Sequence, residues 1–118
     1  MDVLVLGAGA IGLLVSAVAK VYGAQNVVIG DLNRDRVQFA EEHGFAHHGW
    51  TVDLIISDDL NDKLNKIKKM VARMTDIGLL ARYDAVFECT GVESSLQTAI
   101  YVCTQETYLQ YKAHGLHN

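Results

Sequence analysis

Apolar positions along the chain alternate between short unbroken runs and helical spacing. Residues 3–6 are continuously apolar and β-branched, the pattern of a strand covered on both faces. After a glycine turn, residues 10–22 place Ile11, Leu14, Val15, Val18 and Val21 on one face, which predicts a helix that buries this stripe. Its valines are mediocre helix formers, so burial has to carry the segment. Gly23 supplies the stop, and residues 27–30 read as a second strand. Asn33 caps a further helix that runs through Glu42 and ends at Gly44. Residues 45–50 and 53–57 are both strand-like, and pattern alone leaves open which of them joins the sheet. Leu60, Leu64, Ile67, Val71 and Met74 then fall at helical spacing, with Lys63, Lys66, Lys68 and Lys69 mostly off that stripe as a solvated face. Residues 85–89 form a fourth strand closed by Thr90-Gly91, and Val92, Leu96, Ala99 or Ile100, and Cys103 give one more helical stripe. Residues 104–118 show no strand signal and no amphipathic period, and read as an irregular tail. The alternation of strand and helix predicts a parallel sheet with helical crossovers.

Composition narrows the partners more than the fold. At 118 residues, half of them hydrophobic, the chain is one ordinary globular domain. A net charge of -4 gives no reason to expect nucleic acid or an anionic membrane. The apolar run over 8–19 is broken by glycine and serine and is too short to span a bilayer. Two cysteines, Cys89 and Cys103, imply no disulfide framework, and Met1-Asp2 leads straight into a strand without a signal peptide, so the expected setting is cytoplasmic. His47-His48 is no metal site, because adjacent strand residues point to opposite faces.

The chemistry concentrates in the opening segment VLVLGAGAIGLL, where Gly7-x-Gly9-x-x-Gly12 follows a strand and starts a helix. Gly7 permits the tight turn, Gly9 lets the backbone approach a pyrophosphate, and Gly12 lets the helix pack on the strand. The diphosphate would rest on the amides of Ala10, Ile11 and Gly12 at the positive end of the helix dipole. Asp31, nineteen residues beyond Gly12, stands at the end of the second strand and can accept hydrogen bonds from both ribose hydroxyls of an adenosine. It would repel the extra phosphate of NADP, which favours NAD. Arg34 and Arg36 soften that preference; Arg36 reads as a surface helix residue or, as a cofactor contact, as a guanidinium stacked on adenine. These features predict an incomplete doubly wound, Rossmann-like α/β sheet of about four strands with helical crossovers.

Taken with VVIGDLNRDRVQFAEEHGF and YDAVFECTGVESSLQTAI, the opening segment resembles the coenzyme domain of medium-chain alcohol dehydrogenases, with the sorbitol and polyol branch the nearest likeness, over about residues 2–103. Ala10 stands where that family usually has proline. The resemblance implies that Cys89, Thr90 and Gly91 line the cofactor cleft, with Thr90 toward the nicotinamide side of NAD(H). It also implies that zinc belongs to a separate catalytic domain, expected to be missing here, so this chain is expected to bind NAD and to carry no catalytic residue of its own. A strand order of 3-2-1-4 would leave residues 85–89 as an exposed edge open to self-association. Two other readings need fewer residues: a regulatory module that senses a nucleotide through Gly7, Gly9, Gly12 and Asp31, and a methyltransferase-like fold with an acid after its second strand.

Overall fold

The structure, a computed structural model, describes residues 1–80, 82–92, 97–99 and 102–111. Five strands form one sheet in which every neighbour is parallel: β1 (Asp2–Leu6), β2 (Asn26–Asp31), β3 (His48–Thr51), β4 (Tyr83–Glu88) and β5 (Cys103–Tyr111), in the order β3-β2-β1-β4-β5. Among the described residues, α1 (Ala10–Val21), α2 (Arg34–Glu42) and α3 (Leu60–Asp76) cross between the first four strands. The doubly wound α/β fold is the one the strand–helix alternation predicts.

The unbroken apolar character of β1 and β2 has a direct cause, since successive side chains enter different cores. Val3, Val5, Val27 and Ile29 join Ala40, Ala46 and Ala85 on the side of α1 and α2. Leu4, Leu6, Val28 and Val86 join Ile67, Met70, Val71 and Met74 of α3 on the other. Asn33 and Asp59 cap α2 and α3 through their side chains. Of the two candidate third strands, residues 48–51 pair with β2, while residues 53–57 are not strand. β3 is short and carries Gly49, where a Cβ would stand 2.4 Å from Val37 Cγ1, so α2 sits directly on it.

Three expectations need correction. The stripe on α1 does not face the core: Leu14 is 65% exposed and Val21 84%, with Ile11 and Val18 also exposed, while Gly12 and Ser16 are the buried positions and Val15 is partly buried. Close backbone packing at Gly12 fixes the rotation of the helix and overrides the hydrophobic pattern. The segment read as an irregular tail is also partly ordered, because residues 103–111 pair with β4. That strand takes its hydrogen bonds from a neighbour distant in sequence, so no local period is needed to form it. β4 is therefore an interior strand, and self-association through it as an exposed edge loses its premise. Of the last helical stripe, Leu96 and Ile100 lie outside the described residues, as do residues 112–118; Ala99 is helical and fully buried, Val92 precedes the helix, and Cys103 opens β5.

His47 ties the start of β3 to β2 twice. Its amide donates to the Val27 carbonyl at 2.9 Å, and its Nδ1 accepts from the Val27 amide at 2.9 Å. The imidazole pKa lies below its ordinary value of 6.5, through desolvation first and then the charges of Lys20 and His48. The folded chain thus binds fewer protons at His47 than the unfolded chain. Its contribution to stability is complete above the unfolded pKa and is lost as pH falls below it. The urea midpoint should drop between about pH 7.5 and about pH 5.5, and drop less in His47→Gln, which keeps an acceptor but does not titrate. Equal drops in the two proteins would remove His47 as the cause.

Candidate functional site

The carboxyl ends of β1, β2 and β4 open on a common cleft at the point where the chain leaves the sheet in opposite directions, β1 lying between β2 and β4. Such switch points are where open parallel sheets bind ligands. The cavity there measures about 250 Å³ and is lined by Leu6, Gly7, Gly9, Gly30, Asp31, Leu32, Arg36, Val52, Cys89, Thr90 and Val92. Six of the ten residues singled out from sequence are therefore brought together: Gly7, Gly9, Asp31, Arg36, Cys89 and Thr90. Ala10 and Ile11 are exposed on the first turn of α1, Gly12 is buried beneath it, and Gly91 follows Thr90 in the rim. Sequence reasoning missed Leu6, Gly30, Leu32, Val52 and Val92; their common signal is position, each lying at or just beyond a strand's carboxyl end.

The glycine turn is built by three separate requirements. Gly7 has φ +110°, a left-handed conformation that disfavours any side chain, and a Cβ there would lie 3.1 Å from Thr90 Cγ2 and 3.2 Å from the Cys89 carbonyl carbon. At Gly12 a Cβ would fall 1.6 Å from the Gly7 oxygen, an impossible overlap with backbone. Gly9 differs from both. Its φ of -80° and ψ of -170° suit any residue, and a Cβ would meet nothing within 4 Å. The fold itself has no need of a glycine at this position.

The start of α1 is also left chemically open. Gly9 provides no side-chain cap, and the first turn carries no acidic residue, whereas Asp35 and Asp62 occupy the first turns of α2 and α3. The early amides of α1 thus keep their hydrogen-bonding capacity for something outside the helix. Asp31 borders the same turn. Its Oδ2 accepts the Ala8 amide at 2.7 Å and its Oδ1 accepts the Asn33 amide at 2.8 Å, so each oxygen retains a lone pair for a further donor. On the opposite rim, buried Glu88 lies beneath Cys89, Thr90 and Gly91. Among the described residues no group of three or more His, Cys, Asp or Glu could hold a metal ion, so these residues do not fit a zinc site. A larger cavity of about 610 Å³ beside Met1, Val3, Tyr22 and Phe87 has a largely apolar wall and lies toward the amino ends of the strands, away from these groups. Among the described residues no helix is long and apolar enough to cross a membrane.

Comparison with known proteins bears on the family and the fold. The family model described as zinc-binding dehydrogenase matches residues 10–107. An L-threonine 3-dehydrogenase of Francisella tularensis is 37% identical over 102 residues, covering 86% of this chain and 27% of that protein. The D-xylulose reductase of Saccharomyces cerevisiae is 35% identical over 107 residues, covering 84% of this chain and 25% of its own length. The chain thus spans about a quarter of the length of the curated relatives it matches. Among solved structures, an alcohol dehydrogenase of Thermotoga maritima has TM-score 0.72 at 20% identity, over 99% of this chain and 29% of its own. The galactitol-1-phosphate dehydrogenase of Escherichia coli has TM-score 0.70 at 22% identity, over 99% and 30%. These two share the fold.

The two glycines of the turn make opposite demands on stability. Gly12→Ala should lower the unfolding free energy by about 3 kcal/mol or more, because backbone meets backbone and no side chain can yield. Gly9→Ala should change it by about 1 kcal/mol or less. Urea unfolding of both variants checks this, and comparable losses at the two positions would contradict the division of labour.

Proposed function

This chain belongs to the zinc-binding dehydrogenase family, and from that premise we propose that its cleft holds NAD(H) for an alcohol or polyol dehydrogenase. The observation that carries the proposal is Gly9. A glycine that the fold does not require, at the mouth of an uncapped helix, is explained by a ligand whose phosphates approach the backbone more closely than a Cβ allows. The cleft fits the dinucleotide in its chemistry. The α1 amides take the diphosphate, the free lone pairs of Asp31 take the adenosine ribose hydroxyls, and Arg36 borders the place where adenine would stack. The carboxylate of Asp31 would oppose a phosphate on the same ribose, which favours NAD over NADP.

Bound NAD supplies the hydride acceptor, and this chain's residues bind it, orient it and shape the wall around it. By name, one relative is a dehydrogenase of L-threonine at position 3 and the other a reductase of D-xylulose, and both substrates offer a secondary alcohol or ketone. The reaction class proposed for the full enzyme is therefore reversible hydride transfer between a secondary alcohol and NAD, in a cytoplasmic setting. A nucleotide-sensing module would require only the glycine turn and Asp31, and would leave the family match over residues 10–107 without a reason.

Calorimetric titration of the purified chain with NAD, NADP and S-adenosylmethionine in parallel tests the proposal. NAD should bind most tightly, and Gly9→Ala should weaken it by about tenfold or more while the chain stays folded, with a stability change of about 1 kcal/mol or less. Asp31→Ala should weaken it as well, but it also strips the Ala8 amide of its acceptor, so Gly9→Ala is the cleaner variant. The proposal fails if the parent chain has no affinity for NAD, or if Gly9→Ala binds it as the parent does.

A further inference from the structure

We propose that Glu88 is the positioning residue of this cleft: its buried carboxylate fixes where Thr90 and Gly91 stand against the glycine turn, and so sets the wall opposite Asp31. The inference rests on the NAD-holding reading above. Glu88 is 1% exposed, a burial that a carboxylate tolerates only with a cation or a full set of donors around it. Among the described residues no lysine or arginine forms an ion pair with it. Its donors are instead the Thr90 amide at 2.7 Å and the Thr90 hydroxyl at 2.5 Å, both to Oε1, and the Gly91 amide at 3.1 Å to Oε2. All three belong to the rim of the cleft.

The Thr90 hydroxyl is thereby committed. Its hydrogen goes to Glu88, and its oxygen accepts the Val92 amide at 2.9 Å. It has no proton left to give a ligand. What Thr90 offers the cleft is its methyl group, Cγ2, which stands 3.1 Å from where a Cβ on Gly7 would be. A line of contact therefore runs from the Glu88 carboxylate through Thr90 to Gly7. From the other side Asp31 holds the next residue of the same turn by accepting the Ala8 amide. The glycine turn lies between two walls, one fixed by Asp31 directly and the other by Glu88 through Thr90.

A carboxylate suits this place because three donors converge on two oxygens. In Glu88→Gln one oxygen becomes an NH2 that faces a donor, so at least one rim hydrogen bond is lost while the shape is kept. Thr90→Val removes the hydroxyl and keeps the branched methyl. Calorimetry of both variants with NAD and with AMP isolates the effect, since AMP fills only the adenosine side bounded by Asp31. Both should bind NAD about three- to tenfold more weakly and AMP within about twofold of the parent. A parallel loss of NAD and AMP would make Glu88 a support of the fold at large and overturn the proposal, as would unchanged binding of both. If Glu88→Gln does not fold, Thr90→Val decides the matter alone. A parent chain that binds neither nucleotide overturns the NAD-holding reading itself, and this inference with it.

Discussion

At Gly12 the backbone of α1 comes so near the end of β1 that an ideal Cβ would stand 1.6 Å from the Gly7 oxygen. The rest of the cleft depends on that approach. Had the helix turned to bury Leu14 and Val18, their bulk would have pushed its axis away from the sheet and carried its first amides away from the strand ends. Instead Gly12 and Ser16 face the sheet, Leu13 and Val15 pack beside them, Leu14 and Val18 face outward, and the uncapped first turn stays beside β1. The apolar surface left on α1 is a consequence of keeping the helix close.

The walls on either side of the turn follow a second rule: side-chain acids hold loop backbone. Asp31 takes the amides of Ala8 and Asn33, and Glu88 takes those of Thr90 and Gly91. Loops at the ends of parallel strands have no ladder partners for their amides, and a buried amide without an acceptor costs about 1–3 kcal/mol. A carboxylate at the last position of a strand meets that need for two residues at once. Asp31 and Glu88 are the final residues of β2 and β4, so the sheet aims both of them at the loops that continue from it.

Much of this was legible in the sequence because the responsible residues are close together along the chain. The spacing of Gly7, Gly9 and Gly12 located the turn, Asp31 located the end of β2, and Leu64, Ile67, Val71 and Met74 located α3. What escaped was long-range. The rotation of α1 is decided by the Gly7 carbonyl rather than by the helix's own pattern. The pairing of residues 103–111 is decided by β4, whose open side accepts a strand that has no alternation to announce it. Leu6, Leu32 and Val52 enter the cleft only through the strand order, which puts three carboxyl ends side by side. Glu88 stood in view within Glu88-Cys89-Thr90-Gly91, yet its burial and its three donors become visible only once β4 is placed inside the sheet.

The diphosphate site proposed for this cleft lies between two acids, and the hydrogen bonds of those acids bear on whether an anion is tolerated there. Each carboxylate already faces two backbone amides, whose dipoles point toward it and offset part of its field. The α1 amides, by contrast, have no acid in the first turn to compete for them. Negative potential is thus damped at the two walls and positive potential is kept between them, where the turn and the helix dipole coincide. The compensation at Asp31 is partial, since each of its oxygens keeps a lone pair directed outward. That remaining charge attracts hydroxyl donors and resists a further phosphate, so the sign of the field changes between the start of α1 and the end of β2. The dinucleotide proposed for this cleft would carry its anionic groups at the first and its neutral sugar hydroxyls at the second.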